Sequence, residues 1–160
     1  MKVITTSSDR YLHILPIFCH LFNFYWSKDQ QVEIVGYNPP PYNLPTNFNF
    51  VSLGKQTEDK QNFTRDLRKY FSKQDRFFVW MMEDTFLRSP VDFKALNLVK
   101  SLTEKFTDVG RVNLTREGMK QDHSLLANVG GYDVYQNDKF SIYRLSTQPS
   151  VWNKHFALQY

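Results

Sequence analysis

Residues 77–82, Phe-Phe-Val-Trp-Met-Met, form an apolar run with no polar residue at any position. A strand that faces water on one side alternates apolar and polar residues, whereas a strand without a polar face is covered on both sides. Helices packed on both faces of a sheet provide that cover in α/β proteins. The run therefore predicts the central strand of an α/β sheet.

The segments around this run alternate between strand and helix patterns. Strands are predicted at 2–8, 31–37, 48–54 and 109–115, and helices at 11–26, 64–74 and 92–106. Asp92 is expected to cap the last of these helices. This order predicts a three-layer α/β/α architecture with a mixed, mostly parallel sheet, in one domain spanning 1–160.

The pattern changes near the C-terminus. Residues 132–136 and 140–146 flank Asn137-Asp138, a turn signal, which predicts an antiparallel hairpin added to the parallel layer. Residues 144–154 are interpreted as a polar turn joined to an aromatic residue. The proline-rich segment 38–47 is expected to be a stiff, extended loop, because proline fixes φ and biases its predecessor to extended conformations.

Charge and hydropathy limit the classes of partner. The net charge of +4 arises from 20 basic and 16 acidic residues without long runs of one sign. This argues against a nucleic-acid-binding groove and leaves anionic small molecules as partners.

Residues 11–26 are strongly apolar but shorter than the ~20 residues that a membrane span needs. We therefore predict a buried helix there and no membrane span.

The single cysteine, Cys19, cannot form an internal disulfide. Together with an N-terminus that lacks a signal-peptide pattern, this predicts a cytoplasmic protein, in the host cytoplasm if the chain is viral. Cys19 and His20 are expected to be core and boundary residues of the first helix without a chemical role. Oligomeric state leaves no signal in the sequence.

Two adjacent acids, Glu83 and Asp84, directly follow the apolar run. In open α/β sheets ligands bind beyond the carboxyl ends of the strands, so these acids and residues 5–10, after the first strand, are expected to be neighbours. Oxygen ligands without a nearby His or Cys favour Mg²⁺ or Mn²⁺ over zinc. Alternatively, both acids cap the next helix and face water.

Several sequence blocks together resemble one family. "SSDRYLHILPIFCHLFNFYW", "VGYNPPPYNLPTNFNFVSLG", "FTRDLRKYF", "WMMEDTFL" and "YRLSTQPSVWNK" cover most of the chain in order. They are similar to small glycosyltransferase-like proteins of phages, large viruses and bacteria, which have the nucleotide-diphospho-sugar transferase (GT-A) fold. The resemblance implies a Rossmann-like domain that binds a nucleotide sugar and a metal ion.

The resemblance assigns roles to particular positions. The first-strand loop, with Thr6, Ser7, Ser8 and Asp9, would hold the donor nucleotide. Asp84 takes the place of the last carboxylate of an Asp-any-Asp motif, which binds the Mn²⁺ or Mg²⁺ that bridges the donor diphosphate. Met82 stands where that motif has its first Asp. Glu83 is therefore expected to supply part of the metal site.

Glycosyl transfer also needs positive charge for the leaving group and a base for the acceptor hydroxyl. Arg65 and Arg68 are candidates for the positive charge, although both also suit a solvated helix face. The candidate bases are Asp122, His123 and Asp133. All are chosen for their chemistry alone.

The acceptor side is assigned from the segment 144–154. Gln148, Trp152 and Asn153 resemble an acceptor loop, since the face of a Trp ring suits a sugar. Alternatively, Trp152 anchors a terminal helix to the core. The chain ends soon after this segment, so we expect a version of the fold that is shortened at its C-terminus.

These observations predict a metal-dependent glycosyltransferase that moves a sugar from a nucleotide-diphosphate sugar to a glycan or other hydroxyl acceptor. A second hypothesis is an inactive nucleotide-sugar or glycan-binding protein of the same fold, for example a viral accessory or structural component, because fold does not determine chemistry. A nucleic-acid-binding protein ranks last for lack of a basic cluster.

Overall fold

The computed structural model describes residues 1–56, 62–106, 108–115, 123–141 and 146–159. Its strands are β1 (Val3–Thr6), β2 (Val32–Gly36), β3 (Phe48–Ser52), β4 (Phe77–Met82), β5 (Arg111–Asn113), β6 (His123–Val129), β7 (Tyr132–Asn137) and β8 (Ser150–Asn153). Its helices are α1 (Leu15–Tyr25), α2 (Asn62–Phe71), α3 (Phe93–Lys105) and α4 (Lys154–Ala157), and a 3₁₀ helix spans Asp9–Ile14. The predicted alternation of strands and helices is thus confirmed over most of the described chain.

Six strands form one mixed sheet in the order β3-β2-β1-β4-β8-β5. The pairs β3–β2, β2–β1 and β1–β4 are parallel, whereas β8 runs antiparallel to both of its neighbours. The apolar strand β4 lies between β1 and β8, as its lack of a polar face predicts. The α/β class and the mostly parallel sheet are therefore confirmed.

Helices pack on both faces of this sheet. Adjacent strand residues point to opposite faces, and Val3 belongs to one apolar cluster while Ile4 belongs to the other. The first cluster includes buried residues of α1 and is joined by Leu96 and Val99 of α3. The second includes buried residues of α2 and Ala157 of α4. The core is thus two apolar layers with the sheet between them.

Helix α1 follows the predicted buried segment. Pro16 lies in its first turn, where the missing backbone N–H removes no intrahelical hydrogen bond. Phe18 and Phe22 are 1% exposed, and their rings lie 5.9 Å apart. Their packing against the sheet explains why this apolar segment folds as a core helix. No helix in the described ranges is both long and apolar enough to cross a bilayer.

Helix α3 begins as predicted but is less buried than its sequence pattern suggests. The Oδ1 atom of Asp92 accepts hydrogen bonds from the backbone N–H groups of Lys94 and Ala95 at 3.0 and 3.1 Å, which confirms the predicted cap. Phe93 and Phe106, apolar residues at the two ends of the predicted helix, are 49% and 46% exposed. Only the middle of the apolar face of α3 reaches the core.

The strand at 132–137 forms a hairpin with the strand that precedes it. Tyr132–Asn137 pairs antiparallel with the preceding strand, His123–Val129, in a separate two-stranded sheet. The turn is Gly130-Gly131, with φ of +61° and +85°, which glycine adopts without the steric cost of a side chain. The hairpin that the structure shows is thus one that was not predicted, while the predicted pairing of 132–136 with 140–146 stays a prediction. Residues 142–145, in the predicted second strand, lie outside the described residues.

Strand β8 corrects one of the predictions. Residues 150–153 were expected to belong to a polar turn, but they form a buried strand between β4 and β5. The polar ends of the strand have partners inside the protein: Ser150 Oγ accepts a hydrogen bond from Arg111 Nε at 2.9 Å, and Asn153 Nδ2 donates to the Val109 carbonyl at 3.2 Å. Polar residues with such partners can be buried.

Candidate functional site

The carboxyl ends of β1 and β4 lie side by side, with Thr6 opposite Met82. From β1 the chain goes to β2 on one side, while β4 lies on the other side, so this is where the strand order reverses. Open α/β sheets bind ligands at such a switch point. The sheet topology therefore directs attention to the loops that follow these two strands.

Two hydrogen bonds join these loops. The backbone N–H of Ser8 donates to Glu83 Oε1 at 3.1 Å, and the N–H of Glu83 donates to the Thr6 carbonyl at 3.3 Å. The expectation that residues 5–10 and 83–86 are neighbours is thus confirmed. Glu83 faces the first-strand loop and fixes its position relative to β4.

The two acids after β4 occupy different environments. Glu83 is 2% exposed, and burial raises the pKa of its carboxyl group, against the lowering effect of the Ser8 N–H. Asp84 is exposed. Neither acid caps the next helix, because α3 starts at Phe93 and is capped by Asp92. The alternative was that both acids cap the next helix and face water, and of this only the exposure of Asp84 to water is confirmed.

The raised pKa predicts a pH-dependent effect of Glu83→Gln. The Glu83 carboxyl group holds its proton more tightly in the folded protein than in the unfolded chain. Glu83 therefore lowers the stability of the folded state as the pH rises above 4.5, the ordinary pKa of the group. Gln keeps an acceptor for the Ser8 N–H and has no charge to bury. The variant is expected to gain stability relative to the wild type with rising pH, measured by urea unfolding.

Glu104→Gln provides the control for this prediction, because Glu104 is exposed on α3. Its stability difference from the wild type is expected to vary much less over the same pH range. A Glu83→Gln variant that loses stability relative to the wild type as pH rises would contradict the assigned cause of the pKa shift.

At the acidic end of β4, one carboxylate is available to a divalent ion. Among the described residues, no three His, Cys, Asp or Glu side chains are grouped to hold a metal. Mg²⁺, however, is commonly held by one or two carboxylates together with substrate phosphates and water. The exposed Asp84 can supply such a carboxylate, whereas Glu83 already accepts a hydrogen bond from Ser8. The two acids therefore have unequal capacity to bind an ion.

The four predicted nucleotide-site residues also differ in exposure. Thr6 and Ser7 are buried, and Thr6 Oγ1 accepts a hydrogen bond from Trp80 Nε1 at 3.2 Å. Ser8 is exposed. Only Ser8 and the half-buried Asp9 therefore present side chains that a ligand can reach.

Asp9 connects the first-strand loop to the loop after β2. Its Oδ1 accepts a hydrogen bond from the Asn38 backbone N–H at 3.2 Å, and its Oδ2 accepts one from Asn38 Nδ2 at 2.6 Å. At its other end the loop is anchored by the Ser7 N–H, which donates to the Val35 carbonyl at 2.9 Å. These bonds hold the loops after β1 and β2 together.

Residues after β2 form a part of the site that the sequence interpretation missed. The hydroxyl group of Tyr37 donates to Asp66 Oδ2 of α2 at 3.1 Å. Burial raises the pKa of Tyr37, and the hydrogen bond to Asp66 raises it further. The available signal was that Tyr37 and Asn38 directly follow a parallel strand, the same position that drew attention to residues 5–10.

The two arginines of α2 are both exposed. Arg65 Nε lies 3.6 Å from Asp66 Oδ1, and its charge contributes to lowering the pKa of Tyr37 against the dominant effect of burial. Arg65 is therefore close to the residues after β2. Arg68 lies about one helical turn further along α2.

Two of the three candidate bases, His123 and Asp133, are described, and neither is part of the main sheet. Asp122 lies outside the described residues. His123 belongs to β6, where its ring packs against Tyr135 at 4.9 Å, and Asp133 belongs to β7, where its Oδ1 accepts a hydrogen bond from Asn128 Nδ2 at 2.8 Å. Both are on the separate hairpin, so their assignment as catalytic bases stays a prediction.

The predicted acceptor residues lie on or next to β8. Trp152 is 3% exposed, with its ring 5.3 Å from that of Trp80 and 6.1 Å from that of Phe156 in α4. Asn153 is 5% exposed and caps α4, accepting the His155 N–H at 3.0 Å. Neither side chain presents a surface to a sugar in this structure. The contact with Phe156 agrees instead with the alternative that Trp152 anchors a terminal helix.

Gln148 is half-buried just before β8. Its backbone carbonyl accepts a hydrogen bond from Ser150 Oγ at 2.6 Å. Of the three predicted acceptor residues, it alone keeps an accessible side chain.

No protein-family model matches this chain, and no curated protein matches it either.

Proposed function

We propose that this chain is a metal-dependent glycosyltransferase of the GT-A type, with a three-layer α/β/α domain that takes its donor from the nucleotide-diphosphate sugars. The observation that carries the proposal is the hydrogen bond between the Ser8 N–H and Glu83 Oε1 at the switch point of the sheet. It places the first-strand loop beside the acidic end of β4. The resemblance of the sequence blocks assigns the donor nucleotide and the metal to these same two segments.

The strand order supports a nucleotide ligand. The first four strands have the order 3-2-1-4, which is found in doubly wound nucleotide-binding sheets. In this proposal the nucleoside lies over the loops after β1 and β2, where Asp9 and Asn38 are joined. The diphosphate lies toward Asp84, with Arg65 as added positive charge.

In this proposal each acid of the β4 end has its own role. Asp84 binds Mn²⁺ or Mg²⁺, which when bound supplies positive charge for the departing nucleoside diphosphate. Glu83 is a positioning residue, since its carboxylate holds the Ser8 N–H and thereby the first-strand loop. With these separate roles, a single exposed carboxylate binds the metal ion at a position where the family motif has two acids.

The transfer step requires a base. The acceptor oxygen forms a bond to the anomeric carbon, the bond from that carbon to the diphosphate oxygen breaks, and the acceptor proton leaves to a base if configuration is inverted. Asp122, His123 and Asp133 remain the candidates. Asp133 and His123 are exposed on the hairpin and can meet an acceptor only if the hairpin borders the donor site.

One observation favours a second candidate function, a binding protein without transferase activity. Met82 replaces the first acid of the motif, and the buried Glu83 already accepts a hydrogen bond from Ser8. Such a protein would bind a nucleotide sugar or a glycan without releasing nucleoside diphosphate. Product release therefore separates the two functions.

The proposal predicts a thermal shift with uridine or guanosine diphosphate sugars in the presence of Mn²⁺. At about a hundred times Kd, a ligand that binds only the folded state adds about 2.7 kcal/mol, or roughly 5–10 °C in Tm for a chain of this size. Removing Mn²⁺ with a chelator, or introducing Asp84→Ala, is expected to abolish most of this shift.

Asp75→Ala is the matched control, because Asp75 is an exposed acid at the opposite, amino end of β4. It is expected to keep the full thermal shift. A melting temperature unchanged across the whole donor panel would remove both candidate functions for nucleotide sugars. A shift without release of nucleoside diphosphate, with a range of hydroxyl acceptors present, would favour the binding protein.

A further inference from the structure

A groove of about 400 Å³ lies between α1 and the proline-rich segment 38–47. Pro16, His20 and Phe24 line it from α1, and Tyr42 and Leu44 line it from the opposite side. The volume falls within the range of small-molecule sites. None of the residues given a role in nucleotide-sugar binding contributes to the lining, so the groove needs a separate explanation.

Hydrogen bonds fix both walls of the groove. The hydroxyl group of Tyr42 donates to the Leu12 carbonyl, and the side-chain amides of Asn23 and Asn47 donate to each other at 3.3 and 2.8 Å. Four prolines stiffen the segment 38–47 further. The groove therefore exists without a ligand, and a ligand would not have to order its walls.

The lining is mainly apolar and includes an unusually exposed aromatic ring. Phe24 is 71% exposed, and the His20 ring lies parallel to it with centroids 6.5 Å apart. Leu44 packs against the core cluster from the other side of the groove. A concave site of this composition favours a ligand with an apolar body.

The full charge of the lining is positive. Lys28 lies at one end and is the only residue with a full charge among the described residues that line the groove. His20 and Asn43 add possible hydrogen-bond donors, and no acidic side chain of the described chain contributes to the lining. A negatively charged group on the ligand would therefore meet attraction and no repulsion from the walls.

We propose that this groove binds a small amphipathic anion, with an apolar body against Phe24 and Leu44 and a carboxylate or sulfonate group near Lys28. The inference is independent of the proposed transferase function, because it depends only on the shape, apolar lining and charge of the groove. The ligand is a free small molecule, for which a groove of about 400 Å³ has room.

The test uses two probes with this chemistry on the full chain. Anilinonaphthalene sulfonate is expected to bind at a single saturable site with a rise in fluorescence, and decanoate, below its micelle concentration, is expected to displace it. Decanol, which has the same apolar chain without the charge, is expected to displace it less effectively. Failure of decanoate to compete would overturn the proposal.

Variants place the site in the groove. Phe24→Ala is expected to weaken dye binding by about tenfold or more through lost apolar contact, and Lys28→Gln by about threefold through lost charge. Phe93→Ala and Lys100→Gln change an exposed aromatic and an exposed lysine of α3 and are expected to have no effect. The proposal would be overturned if the α3 variants lost as much dye affinity as the groove variants, or if the groove variants lost none, because the dye would then bind elsewhere.

Discussion

Phe22→Ala is expected to lower the free energy of unfolding by about 3–5 kcal/mol, the cost of truncating a fully buried aromatic side chain. Phe22 is 1% exposed, and its ring lies 5.0 Å from Trp26 and 5.6 Å from Phe48. Native domains are stable by only about 5–15 kcal/mol, so a large share of the total would be lost. Urea unfolding measures the change directly, and Tm is expected to fall by roughly 6–20 °C.

Phe24→Ala is the matched control, since it is the same substitution two residues later in the same helix. Phe24 is 71% exposed, so its removal is expected to change stability by less than about 0.5 kcal/mol. Similar losses in both variants would mean that α1 does not pack with Phe22 inward. That result would contradict the first core cluster as described.

Gly36→Ala is expected to destabilise the protein and to disturb the donor site. A Cβ atom at Gly36 would lie 2.6 Å from the Ser7 carbonyl oxygen, so the backbone of the first-strand loop has to move. Replacing a strand glycine by alanine normally gains roughly 0.5–1 kcal/mol, but overpacking costs about 1–3 kcal/mol, and the contact with backbone makes the cost dominate. We expect a net loss of about 1–2 kcal/mol in urea unfolding.

The same displacement moves Ser8, whose N–H reaches Glu83. If the proposed donor site is correct, donor affinity in the thermal-shift assay is expected to fall by about tenfold or more, because small misplacements at a binding site are costly. The stability effect does not depend on that proposal. The two measurements therefore test the packing and the function separately.

Gly110→Ala serves as the control for Gly36→Ala. Its Cβ atom would lie 2.7 Å from the ring of Phe156, and Gly110 precedes β5 at the amino end of the sheet, away from the loops after β1 and β4. It is expected to cost stability while leaving donor affinity unchanged. Equal losses of donor affinity in both variants would show that general destabilisation, and not the first-strand loop, causes the effect.

The most regular features of the fold were predictable from local pattern. The unbroken apolar run of β4 predicted a central strand, and the charge-free length between Pro16 and Trp26 predicted a core helix. Asp92 was recognised as a cap because the chemistry of a cap is local. Each of these features depends on residues within about one or two turns of one another in the chain.

The parts that the sequence interpretation missed depend on distant partners. Gly130-Gly131 and Asn137-Asp138 are both turn signals, and the pairing of 132–137 with 123–129 shows that the first is the turn of this hairpin. Trp152 lies in a strand of four residues, too short for a period to be recognised, between two strands that are distant in sequence. Long-range pairing, which a local pattern does not contain, placed these residues.

The candidate site combines both kinds of information. From the amino-acid sequence alone, the acids after β4 and the polar loop after β1 could be assigned to one edge of a parallel sheet, because parallel strands end at the same edge. Only the tertiary structure decided that Glu83 turns inward to the Ser8 N–H while Asp84 stays in water. The two acids are neighbours in sequence and chemically alike, so their difference arises entirely from the loop that packs against them.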